Sequence, residues 1–103
     1  MTPYRIKAVT PVAAGPGVLL REFTFAPGEA TPWHSHTEMT DRCYGLSGTV
    51  TLEIRDGVAI ALDPGDLGEV PAGAVHRLVN HGAEDGRVLL VQHGGCYDFL
   101  SAD

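Results

Sequence analysis

In the stretch TVTLEI, residues 49–54, Val50, Leu52 and Ile54 fall on one side and Thr49, Thr51 and Glu53 on the other. That period of two is the mark of a strand with one face buried. Similar short runs of β-branched, aromatic and aliphatic residues recur along the chain: YRIKAVT, GVLLREFTF, RCYGLSG, VAIAL, LGEVP, VHRLVN and RVLLVQH. Glycine and proline return between them, as at Pro27, Gly28, Pro64, Gly65, Pro71 and Gly73, too often for helices of ordinary length. The pattern therefore predicts an all-β, antiparallel chain. RDGV at 55–58 carries the Asp-Gly pair of a tight hairpin, and DPGD at 63–66 reads as a Pro-Gly turn. RVLLVQ alternates least and predicts a strand covered on both faces. So many short strands need their edges protected, which a barrel or a double-sheet jelly roll achieves. Either brings one face of each strand to a common interior.

Length and composition narrow the class. The 103 residues suit one domain, and 44% hydrophobic against 19% charged residues leaves enough apolar surface to build a core. The net charge of −6 argues against nucleic acid as partner, because no basic patch exists to displace counterions. MTPYRIKAVT lacks the apolar run of a signal peptide, and no stretch approaches a membrane span, so the expected address is the cytoplasm. Cys43 and Cys96 are then expected as free thiols. A domain this small gains stability from a further interface, which favours a homodimer.

TPWHSHTEMTD, residues 31–41, holds the candidate chemistry. In an extended segment His34 and His36 point the same way, as two ligands of one metal must. The bland alternative is a solvated polar loop. A third imidazole, His76, opens the strand VHRLVN; if that strand faces the same interior, three can meet. Imidazole suits Zn, Fe, Ni and Cu and, with a carboxylate, Mn, so the cluster alone does not select the ion.

From Gly28 the spacing runs Gly, five residues, His34, one, His36, four, Asp41, six, Gly48; from Gly65 it runs Gly, five, Pro71, one, Gly73, two, His76, three, Asn80. These strings resemble the two signature motifs of the cupin superfamily over about residues 18–93. The resemblance implies a small jelly-roll barrel of six to eight strands, with His34, His36, an acidic residue and His76 on a divalent metal ion (Fe, Mn, Ni or Zn). The family usually has Glu where this chain has Asp41, a side chain one methylene shorter. Asp41 is preferred as the ligand, with Glu38, the other nearby carboxylate, left beside the site or in solvent. A site of three histidines alone stays open. Residues 1–17 then form an N-terminal strand or arm able to pair with a neighbouring copy, and 94–103 a tail with Tyr97 and Phe99 packed at the rim.

Alternation from Asp41 places Cys43 and Gly45 inward as well, Cys43 near the metal or as a small buried hydrophobe, and Gly45 as room for a substrate or a strand bend. In LLREFTF, Arg21 shares a face with Phe23 and Phe25; turned inward it is suited to a substrate carboxylate, turned outward it is a surface charge. Gln92 or His93 faces the cavity, and Arg21, Cys43 and Gln92 are the expected substrate-pocket residues. Trp33 points away from His34, and His81 is expected in solvent. The leading expectation is a metal-dependent enzyme acting on a small organic molecule, first a dioxygenase-type oxidoreductase, next a lyase or isomerase. A non-catalytic metal-dependent module that binds or senses a small ligand is the alternative.

Overall fold

Ten strands follow one another in the computed structural model, which describes residues 5–102; residues 1–4 of the expected arm and 103 of the expected tail lie outside the described residues. They are β1 (Ala8–Gly15), β2 (Val18–Phe25), β3 (His34–Ser35), β4 (Thr40–Ser47), β5 (Val50–Ile54), β6 (Ala59–Leu62), β7 (Leu67–Val70), β8 (His76–Val79), β9 (Gly86–His93) and β10 (Leu100–Ser101). They form two five-stranded antiparallel sheets, β1-β2-β9-β4-β7 and β10-β3-β8-β5-β6, the double-sheet jelly roll. Among the described residues no helix is long and apolar enough to cross a membrane.

The inner faces interlock as layers. Phe23, Phe25, Cys43, Val50, Leu52, Leu62, Val70, Leu78, Val88 and Leu90 make one buried apolar cluster drawn from both sheets. Each large apolar side chain of this kind contributes about 1.5–3 kcal/mol on removal from water. One step along the strands the layer turns polar: Asp41 lies opposite Gln92 in the first sheet, and His34 opposite His76 in the second. The site therefore sits where the inward pattern changes from apolar to polar, held by strands on both sides.

Two local expectations are corrected. The first strand begins at Ala8, with Arg5, Ile6 and Lys7 of the expected strand outside it, and runs through Pro11 with an irregular register between Pro11 and Ala13; on an edge strand a bulge spares proline the N–H it lacks. β9 alternates after all: Val88, Leu90 and Gln92 are buried, while Leu89 and Val91 on the other face are only partly covered. The expected hairpin at 55–58 joins β5 to β6, with Asp56 in the left-handed region at φ 58°. The DPGD turn does have its glycine in that region, Gly65 at φ 92°, behind Pro64 as a type II turn requires.

Gly45 makes room for backbone and not for a substrate: a Cβ there would lie 2.2 Å from the Asp63 carbonyl oxygen. The close approach lets Gly45 N–H donate to Asp66 O and its carbonyl accept from Gly65 N–H, tying β4 to the turn that crosses between sheets. Asn80 locks the neighbouring turn. Its fully buried amide donates to Phe25 O and Glu84 O and accepts from Gly82 N–H. Gly45→Ala is expected to lower stability by about 1–3 kcal/mol, the usual range for forcing an atom into a filled site. A urea midpoint unchanged from wild type would show that the turn yields freely.

Candidate metal centre

His34, His36, Asp41 and His76 are all buried, and one donor atom from each lies within 4.8 Å of the others. Two donors facing each other across an ion at about 2.1 Å would be about 4.2 Å apart, so the donors need close only slightly on an ion. Strand alternation brings the first pair together, and the β3–β8 pairing sets His34 directly against His76.

The tautomers fit a metal. Each imidazole turns Nδ1 to a backbone carbonyl: His34 to Pro32 O at 2.8 Å, His36 to Asp98 O at 2.5 Å and His76 to Ala74 O at 2.9 Å. A carbonyl only accepts, so each Nδ1 carries the hydrogen and each neutral ring offers its Nε2 lone pair to the centre. Asp41 Oδ2 lies 2.9 Å from His76 Nε2 and 3.4 Å from His36 Nε2. In the absence of an ion such a contact requires a proton between nitrogen and carboxylate; an ion takes the place of that proton.

Gln92 completes the inner wall. Its amide must donate to the Asp41 carboxylate, which only accepts, and must accept from the Arg21 guanidinium, which only donates, so its orientation is forced. The distances are 3.0 Å from Nε2 to Asp41 Oδ1 and 2.7 Å from Arg21 Nη2 to Oε1. Of the expected pair, Gln92 faces the cavity and His93 does not line it.

The electrostatics separate the ligands. Burial is the largest influence on Asp41 and would raise its pKa, but hydrogen bonds from His36, His76 and Gln92 outweigh it and hold the carboxyl well below the usual range. Burial pushes His34 down to about 4, against the raising effect of the Pro32 carbonyl. Burial also disfavours charge on His36, yet its bonds to Asp41 and to the Asp98 carbonyl carry the net shift upward.

Glu38 is exposed and accepts the Cys96 backbone N–H at 3.1 Å, so Asp41 and not Glu38 stands with the histidines. Cys43 is fully buried in the apolar cluster one step below Asp41 and does not line the cavity; burial pushes its thiol pKa far up. Both cysteines are free. Arg21 turns inward with Phe23, its guanidinium carbon 5.2 Å from the Phe23 ring centroid and 5.1 Å from that of Tyr97. Trp33 faces away, against Arg55 and Arg77, and His81 is exposed beside Glu53.

The tail belongs to the cavity wall more fully than a rim cover would. Phe99 stacks on His34 with centroids 4.4 Å apart and an 11° tilt, and Tyr97 lies 5.5 Å from His36. Asp98 accepts Thr37 N–H, and the β3–β10 pairing anchors the end of the segment. Spacing by two, Tyr97 to Phe99, was the available signal that both rings share a face; Thr31, Leu78 and Leu90 complete the lining without one. The cavity is small, with about 30 Å³ open to the centre of a water-sized sphere.

This arrangement, two histidines and a carboxylate from one motif and a third histidine from the other inside a jelly roll, is matched by a family model described as "Cupin domain" over residues 21–92. The chain belongs to the cupin family. Among solved structures it is similar to TT1209 from Thermus thermophilus, at 27% identity over 92% of this cupin and 91% of that chain, TM-score 0.80. A Klebsiella pneumoniae protein with a double-stranded β-helix domain is 22% identical over 91% of this chain and 85% of its own, TM-score 0.79. The polyketide cyclase RemF from Streptomyces resistomycificus is 27% identical over 86% of this chain and 63% of its own, TM-score 0.73. Comparison with curated protein sequences finds no significant match.

The buried His-His-Asp-His cluster and the cupin fold together suggest a divalent metal site. Elemental analysis of protein purified without a metal-affinity tag is expected to find near-stoichiometric divalent metal, lost in His76→Ala; equal metal in both proteins would place the ion elsewhere. Metal-free protein should also show the His34 linkage. Its folded pKa of about 4 lies below the ordinary 6.5, so the unfolded chain binds the extra proton between those values. That contribution to stability is complete above pH 6.5 and falls away toward pH 4. His36, shifted upward, acts in the opposite sense, its share lost as the pH rises through its folded pKa. Melting temperatures from about pH 7 down to about pH 4 should fall less steeply in His34→Gln than in wild type, and parallel profiles would contradict the assignment.

Proposed function

We propose that this cupin is a metal-dependent enzyme acting on a small organic molecule, in the first place a dioxygenase-type oxidoreductase. The observation that carries the enzyme reading is the cavity itself. Four metal-ligating groups meet at its head, the polar pair Arg21 and Gln92 stands beside them, and Phe23, Leu90 and Phe99 wall off water. A bound divalent ion would supply Lewis acidity or a site for dioxygen. The protein's own part is to keep the three Nε2 lone pairs presented, hold Asp41 ionised, and place a substrate between the ligands and Arg21.

A lyase or isomerase is the second reading, and Asp41 favours it. Three histidines with a weak or absent carboxylate would suit the oxygenase, whereas Asp41 lies within hydrogen-bond reach of His76 and Gln92. Oxygen uptake by the Fe(II)-loaded protein across a panel of small hydroxy and keto acids separates the two. Uptake tied to product supports the oxygenase, and product formed equally without oxygen supports the lyase or isomerase. His34→Ala and His76→Ala should each abolish turnover with the fold retained by circular dichroism. Tight binding without product in every condition would replace the enzyme with a ligand-binding module.

A cytoplasmic homodimer completes the proposal. Every residue of β1 is exposed, Val9 and Val12 among them, and among the described residues only one of its edges is paired. An apolar edge strand of this kind invites a second copy. Light scattering is expected to give twice the chain mass, and a monomeric mass at micromolar concentration would exclude it.

A further inference from the structure

Arg21 differs from the other described arginines that are held by side chains. Arg42, Arg77 and Arg87 each pair with a glutamate, at Glu69, Glu53 and Glu22. Arg21 has no carboxylate partner among the described residues. Its side-chain hydrogen bond goes from Nη2 to the neutral amide of Gln92, and its Nε is buried with no hydrogen-bond partner at all. A partly buried guanidinium is disfavoured unless its charge and its donors are met. Here both needs are left open on the wall of a cavity.

The rest of the setting fixes the group in place. The Phe23 and Tyr97 rings lie against the guanidinium, and Gln92 holds one nitrogen while binding Asp41 with its other end. A planar fork held in this way is suited to a planar anion. Charge gives the same answer. A divalent ion on three neutral imidazoles and Asp41 leaves one positive charge, and Arg21 adds a second, so the loaded cavity is short of negative charge.

We propose that Arg21 is the carboxylate receptor of this cavity, and that the ligand is a short-chain carboxylic acid carrying a hydroxyl or keto oxygen on the neighbouring carbon. Its carboxylate pairs with the Arg21 guanidinium on the cavity wall, and its remaining oxygen faces the four candidate metal ligands. Gln92 is the spacer, since one amide separates Arg21 from Asp41. The small cavity restricts the acid to a few carbons, and Tyr97 closes over it. The inference rests on the proposed metal-dependent function and narrows its substrate class.

Glycolate and its neutral isostere glycolamide test it by titration calorimetry, on wild type, Arg21→Lys and Arg21→Met, each metal-free and loaded with a divalent ion, with metal content measured for every sample. Glycolate is expected to bind loaded wild type, glycolamide far more weakly, and Arg21→Met to lose about ten- to hundred-fold in glycolate affinity at unchanged metal content, the range for a charged hydrogen bond. Arg21→Lys should recover part of the loss, which rules out misfolding as its cause. Equal glycolate affinity in wild type and Arg21→Met, or equal affinity for acid and amide, would overturn the assignment while leaving the metal site intact. Wild type that takes up no metal yet binds glycolate through Arg21 would instead remove the metal-dependent reading and keep the receptor. Failure of wild type to bind glycolate in either form would also overturn it.

Discussion

Three backbone carbonyls, those of Pro32, Ala74 and Asp98, accept the Nδ1 hydrogens of His34, His76 and His36, and the chemistry of the cavity depends on that constraint. A free imidazole exchanges tautomers; one whose Nδ1 faces a carbonyl cannot do so without losing a buried hydrogen bond. All three rings are therefore fixed with their lone pairs toward one point. Two of the carbonyls lie two residues from their histidines, so local chain geometry supplies them. The third comes from the tail, which makes the C-terminal segment part of the centre.

Around that point the charges are arranged in series. Asp41 is kept ionised by His36, His76 and Gln92 despite its burial. Gln92 passes the network on to Arg21, and Arg21 ends it with an unused donor. The metal ligands and the proposed receptor are thus joined through one amide. The apolar layer beneath, from Cys43 and Leu90 through Leu52, excludes water and gives these interactions their strength.

Most of the strands and much of the site were legible in the sequence for specific reasons. The period of two in TVTLEI and the glycines and prolines between strands follow from backbone sterics, which act locally. His34 and His36 share a face for the same reason, and the motif spacing carried the resemblance that brought in His76. Other features had no local signal. The course of β1 through Pro11 depends on its being an edge with a bulge, and the alternation of β9 was hidden because Leu89 and Val91 are apolar on the outer face too. Gly45 read as space for a ligand or as a strand bend, when what fills the space is the backbone of Asp63, far along the chain.

The sequence by itself determined the all-β pattern, the turns, the cupin resemblance and which histidines are the candidate ligands, since each rests on spacing within a few residues or on motifs of fixed length. Tertiary structure alone decided that Cys43 is core, that Arg21 points inward without a carboxylate, and that the rings of Tyr97 and Phe99 wall the cavity, and it bore out the preference for Asp41 over Glu38 beside the histidines. Those outcomes depend on which strands pack face to face, and a side chain's partners across such a gap are set by sheet pairing rather than by its neighbours in the chain.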